Sequence, residues 1–146
     1  MGGISGVLGN KYIEVPLLLW FAIQSFKVAW ELVTIKKFNF KRILGAGGMP
    51  SSHSAVVTSI ATLIGRNEGF DSSIFALSVI FACIVMYDAA GVRRAAGKQA
   101  QLLNKIINTP GLSGLQVQEK LVEVLGHTPI QVFVGALIGI IAGAIF

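Results

Sequence analysis

Apolar runs of bilayer-crossing length, broken by loops in which positive charge collects, constrain this chain more than any other feature. The runs extend from about Val15 to Thr34, from Ser51 to about Gly65, from about Ser73 to Ala90, and from Pro129 to Phe146. A helix rises about 1.5 Å per residue, so some twenty apolar residues cover a hydrocarbon core of about 30 Å. The first run meets that length, with Trp20 and Trp30 towards its ends as interfacial anchors. The second is short, so its first turn is expected within the membrane boundary or in a locally thinned bilayer. A mean hydropathy of +0.72 with only 13% charged residues lies far from the soluble classes. No strand pattern or internal repeat stands out, and 146 residues leave room for one domain. The expected fold is all-α: a polytopic membrane helical bundle of about four transmembrane helices plus one or two short amphipathic helices, forming a single integral membrane domain over residues 1–146.

The charges orient this bundle. Four Lys and Arg lie in 36–50, one in 66–71, five in 91–127, and one, Lys11, in the N-terminal tail. Positive loops stay inside, which predicts both termini outside and both long loops in the cytoplasm of a bacterial-type plasma membrane or an organellar membrane. Gathered in this way, the net charge of +5 speaks for membrane loops and against nucleic acid. Residues 95–108 read as an amphipathic surface helix, and 113–125 as a second short one. The lone Cys83 gives no disulfide framework and no metal-ligand spacing. The first ten residues carry no basic segment or cleavage site, so the first span is expected to stay in the mature protein. Lys27 and Glu31, four apart inside that span, are expected to pair and to face protein or a polar cavity. Gly135, Gly139 and Gly143 recur every four residues, a flat face through which a homo-oligomer could form.

Chemistry concentrates at two histidines. Gly47-Gly48-Met49-Pro50-Ser51-Ser52-His53-Ser54-Ala55 sets flexible and hydroxyl-bearing residues at the start of an apolar helix, where free N–H groups favour an anion. Gly126-His127-Thr128-Pro129 opens the last span in the same manner, with Thr128 to cap and Pro129 in the first turn. The topology brings His53, His127, Arg93 and Arg94 to one membrane face, although the histidines stand seventy-four positions apart. One imidazole can attack phosphorus while the other protonates a leaving oxygen, with arginines holding the spreading charge. Arg93 and Arg94 also read as ordinary inner-face charges, and Asp88 as a salt-bridge partner for either. Gly97-Lys98 lacks the remainder of a phosphate loop.

From Arg42 onward these residues resemble the type 2 phosphatidic acid phosphatases, and specifically their divergent small-membrane-protein branch, related to the vanadium-dependent haloperoxidases. Pro50-Ser51-Ser52-His53 is similar to the family's Pro-Ser-Gly-His, and His127 with Pro129, Val132 and Gly135 to its later histidine motif. The resemblance implies His127 as nucleophile, His53 as the acid for the leaving group, no metal or cofactor, and a phosphorylated lipid among membrane lipids as substrate. Phosphate contacts would come from Arg42, Gly48, Ser51, Ser52, Arg93, Arg94 and Lys98. Three departures stand out: the Lys-x6-Arg-Pro motif is absent, Leu121 replaces the arginine six positions before His127, and Gln131 replaces the carboxylate four positions after it. Gln131 can still accept the imidazole N–H, and Asp88 is the alternative orienting group. The readings left open are a lipid-phosphate phosphatase and a catalytically silent relative that binds anionic headgroups or a partner helix. Halide chemistry suits a small membrane chain poorly, and a transporter would need an oligomer to enclose a path.

Overall fold

A computed structural model describes residues 9–35, 48–108, 121 and 126–146. They form five helices: α1 (Lys11–Ile35), α2 (Ser52–Glu68), α3 (Ser73–Ala90), α4 (Val92–Ile107) and α5 (Pro129–Ile145). No strand occurs among the described residues. Two helical stretches, Lys11–Thr34 and Ser73–Ile107, are long and apolar enough to cross a membrane, and Pro129–Ile145 is a shorter apolar helix.

Several boundaries lie beyond the apolar runs, for reasons of capping. α1 begins at Lys11 because the Asn10 side chain accepts from the Tyr12 N–H at 3.0 Å, and Glu14 reaches back to the Gly9 N–H at 2.8 Å. α2 continues to Glu68, past Gly65, because its last turn is held by neighbours. Arg66 donates to the Gly143 carbonyl at 3.0 Å, Tyr12 Oη to Glu68 Oε1 at 2.8 Å, and Lys11 to Asn67. α4 starts at Val92, straight after Gly91. The expected helix over 113–125 lies outside the described residues except for Leu121, whose backbone N–H and carbonyl both bond to the Asn104 carboxamide, at 3.1 and 2.9 Å.

The core is made mostly of small residues and hydroxyls packed around Leu63, and most large apolar side chains face outward. Ala55, Ala61, Ser51, Ser54, Ser59 and Thr58 are buried, whereas Leu18 and Phe21 of α1, Leu77 and Phe81 of α3, and Phe133 and Ile141 of α5 are exposed. Such a bundle is built for hydrocarbon outside and close backbone packing inside. α2 is the central helix, packed against α5, α3 and α1. Its hydroxyls bond back to its own backbone, Thr58 to Ser54 O, Ser59 to Val56 O and Thr62 to Thr58 O, each at 2.8 Å. These hydroxyls are therefore satisfied internally.

The glycine face of α5 is filled by α2 of the same chain, which corrects the expectation of an oligomer through Gly135, Gly139 and Gly143. A Cβ on Gly135 would strike the Ser51 carbonyl, one on Gly139 the Thr58 hydroxyl and Ala55 carbonyl, and one on Gly143 the Ser59 carbonyl. The matching order of these contacts makes α2 and α5 parallel, with their N-termini side by side. The stripe joins two parts of one protomer.

Candidate active site

Both histidines stand where these parallel helices begin. Ser51 caps α2: its Oγ accepts from the Ser54 N–H at 3.3 Å and the Ser54 hydroxyl at 2.9 Å. Its own N–H donates to the Gln131 carbonyl on α5 at 3.1 Å, so Ser51 locks the two helix starts together. The first N–H groups of α2 have no acceptor within the helix, and both dipoles point their positive ends the same way. Buried Ser52 and half-buried His53 occupy the first turn. Gly48 has φ +80° with open space where a Cβ would be, so it serves the turn's backbone rather than a close approach.

His127 is held from three directions. Its N–H donates to the Ala89 carbonyl at 2.9 Å, at the end of α3. Gly126, with φ +84°, lies so close to the Arg93–Arg94 backbone that any Cβ would overlap it. The ring's Nδ1 meets Gln131 Oε1 at 3.3 Å. That same oxygen accepts the Thr128 N–H at 3.0 Å, while the Thr128 hydroxyl accepts from Gln131 N–H at 3.4 Å, a reciprocal helix cap. An amide N–H can be answered only by the carboxamide oxygen, which fixes the glutamine's orientation. An acceptor facing Nδ1 then requires that Nδ1 carry the proton.

The consequence is a lone pair on Nε2. His127 is only 2% exposed, and its buried Nε2 has no hydrogen-bond partner among the described residues. The Gly48 carbonyl is near enough to favour the charged ring slightly but does not form that bond. Burial chiefly pushes the His127 imidazole below its ordinary pKa, against the weaker opposing pull of Gln131. The His53 and His127 ring centroids are 6.4 Å apart with planes at 61°. Two imidazoles at this separation lie close enough to act on one bound group.

A family model described as the Divergent PAP2 family matches residues 8–142. The chain belongs to the Divergent PAP2 family. It is 43% identical over 152 residues to YuiD of Bacillus subtilis (strain 168), described as an uncharacterized membrane protein, covering 97% of this chain and 88% of that one. No solved structure matches. This member of the Divergent PAP2 family is thus a membrane protein whose two histidine motifs meet in space.

The other residues singled out in the sequence distribute unevenly around the rings. Asp88 accepts from Arg93 Nε at 2.6 Å, so the orienting place at His127 is held by Gln131 and Asp88 serves the α3–α4 junction. This Arg93–Asp88 pair lies within electrostatic reach of His53. Arg94 enters through its backbone under Gly126, and its side chain and that of Lys98 are exposed. Arg42 lies outside the described residues. Among these no cluster of metal-ligating side chains occurs. Sequence reasoning gave no role to Gly126 or the Ala89 carbonyl, and a glycine directly before a histidine was the only available sign of a left-handed, closely packed turn. Lys27, read as half of a structural pair, lies within electrostatic reach of both rings.

Proposed function

We propose that this protein is a phosphatase of the bilayer's inner edge, hydrolysing a lipid phosphomonoester or prenyl diphosphate at the cytoplasmic face through a phosphohistidine. In this reading the single domain crosses the membrane four times, by α1, α2, α3 and α5, and α4 lies along the surface. The observation that carries it is the buried His127 ring, its Nδ1 committed to Gln131 and its Nε2 without a partner among the described residues, with the His53 ring centroid 6.4 Å away where two helix N-termini converge.

The His127 Nε2 lone pair attacks phosphorus as the phosphorus–oxygen bond to the lipid breaks. Protonated His53 gives its proton to the departing oxygen. Water then enters, His53 takes one of its protons, and the resulting hydroxide displaces His127 from phosphorus to release inorganic phosphate. Gln131 holds the Nδ1 proton throughout, and helix N-termini offset the negative charge on the remaining oxygens. A cavity of about 650 Å³ supports a lipid substrate: Leu19, Ile23, Phe26 and Trp30 of α1 and Val134 and Ile138 of α5 line it, together with Met49 and Pro50, which lead directly into Ser51. Its walls are apolar, as a hydrocarbon chain requires.

The test is phosphate release by purified protein from short-chain phosphatidic acid, phosphatidylglycerophosphate and prenyl diphosphate. His127→Ala and His53→Ala should each abolish it, and orthovanadate should inhibit it. Activity that survives both substitutions removes the proposal. A second reading, headgroup binding without turnover, is favoured by the neutral Gln131, which cannot offset a developing imidazolium as a carboxylate would. Saturable binding of anionic lipid with no hydrolysis, and no gain in Gln131→Glu, would select it.

A further inference from the structure

The inward face of α1 carries polar groups that the reaction above leaves unused. Val15, Ile23 and Gln24 are buried, and Leu19, Lys27 and Glu31 half-buried, whereas Leu17, Leu18 and Phe21 are exposed. Steps of three and four put the first six on one side of the helix, so Lys27 belongs to the side packed on α2. An ionisable residue held inside an apolar helix and turned towards protein calls for a role.

The register between α1 and α2 locates that role. The helices run antiparallel, clasped at one end where Lys11 bonds to Asn67 and Tyr12 to Glu68. Sixteen residues along α1 from Lys11 comes Lys27, and sixteen back along α2 from Asn67 comes Ser51. Both therefore lie roughly 24 Å from the clasp. Lys27 stands level with Ser51, Ser52 and His53, on the side of α1 that faces them. Its charge is felt by both imidazoles.

We propose that Lys27 is a phosphate-binding residue of the His53–His127 site, supplying a full positive charge from α1. This rests on the phosphatase reading and adds to it the group that neutralises the bound oxyanion. Two helix N-termini offer only partial charges, and a full ammonium beside them draws a dianion into a partly buried site. The buried His127 Nε2, without a partner among the described residues, independently points to a polar group binding here. Glu31, one turn further along α1, is spaced to pair with the ammonium when no anion is bound, in competition with that anion.

The experiment is orthovanadate binding to full-length protein in nanodiscs by titration calorimetry, with wild type, Lys27→Met, Lys27→Arg and Glu31→Gln compared. Lys27→Met should weaken binding about tenfold or more, and Lys27→Arg should retain most of it. Phosphate release should show the loss in Lys27→Met mainly as a raised KM, and circular dichroism should be unchanged. If Lys27→Met does not fold, Glu31→Gln decides, because it leaves the ammonium unopposed and should tighten orthovanadate binding. Wild-type affinity in folded Lys27→Met, or no tightening in Glu31→Gln where Lys27→Met cannot be read, overturns the role of Lys27 and leaves the histidine pair standing. A wild type that neither binds orthovanadate nor releases phosphate removes the phosphatase reading and this proposal together.

Discussion

At His127 the decisive feature is a shared acceptor: Gln131 Oε1 serves both the Thr128 N–H and the ring Nδ1, which leaves the lone pair of the neutral ring on Nε2, the atom proposed to attack. Burial lowers the pKa of this imidazole, so its neutral, nucleophilic form persists as pH falls through the ordinary imidazole range. The acid limb of kcat/KM is therefore expected below the ordinary value, since on the acid side activity is lost as His127 protonates at its depressed pKa. Gln131→Glu places a carboxylate beside Nδ1 and favours the charged ring, so the limb should move to higher pH while kcat rises through better support of the phosphohistidine. A pH–rate profile with the limb unmoved would deny Gln131 its orienting role. Gly126→Ala tests the placement of the ring from behind. A side chain at φ +84° costs about 1–2 kcal/mol before the overlap with the Arg93–Arg94 backbone is counted, so a lowered thermal midpoint and sharply reduced phosphate release are expected. Both histidines and Gln131 were legible in the sequence as motif residues. The hold on His127 was not, because it runs through the Ala89 carbonyl and a glycine turn, and backbone groups leave no mark on residue identity.

Between elements, the site depends on how closely α2 and α5 approach. Gly135, Gly139 and Gly143 meet Ser51, Ala55, Thr58 and Ser59 with no room for a methyl group, and the Thr58 hydroxyl also reaches the Ala136 carbonyl at 3.1 Å. Gly139→Val is expected to push the helices apart at a cost of about 1–3 kcal/mol and to separate the imidazoles, losing activity and thermal stability together. Ile141→Leu, on the exposed face of the same helix, should change neither, and a measured loss there equal to that in Gly139→Val would contradict the packing account. Four-residue spacing of small residues identified a close-packing face correctly from sequence. Which helix fills it was hidden, because a glycine face fits α2 of its own chain as well as a second copy. Helix starts and ends shifted from the apolar runs for a similar reason: Asn10, Glu14 and Arg66 extend α1 and α2 through polar contacts that hydropathy does not register.

Across the whole molecule, charge counting and geometry agree on the end at which the chemistry collects. Large apolar side chains surround a core of small residues, and the starts of α2 and α5 and the α3–α4 junction meet at the end away from the Lys11–Asn67 clasp. The topology predicts that, in a Cys83→Ser background, Ser5→Cys reacts with an impermeant maleimide from outside and Ser113→Cys only after permeabilisation. The reverse pattern would move the site to the outer face. The central claim is that the fold closes two distant imidazoles around one phosphoryl group, with His127 as its covalent carrier. The measurement that tests it most directly is acid-labile, alkali-stable labelling of the purified protein by 32P short-chain phosphatidic acid or prenyl diphosphate after rapid quench. The account predicts label on the peptide containing His127, absent in His127→Ala; hydrolysis that proceeds with that peptide unlabelled would contradict it.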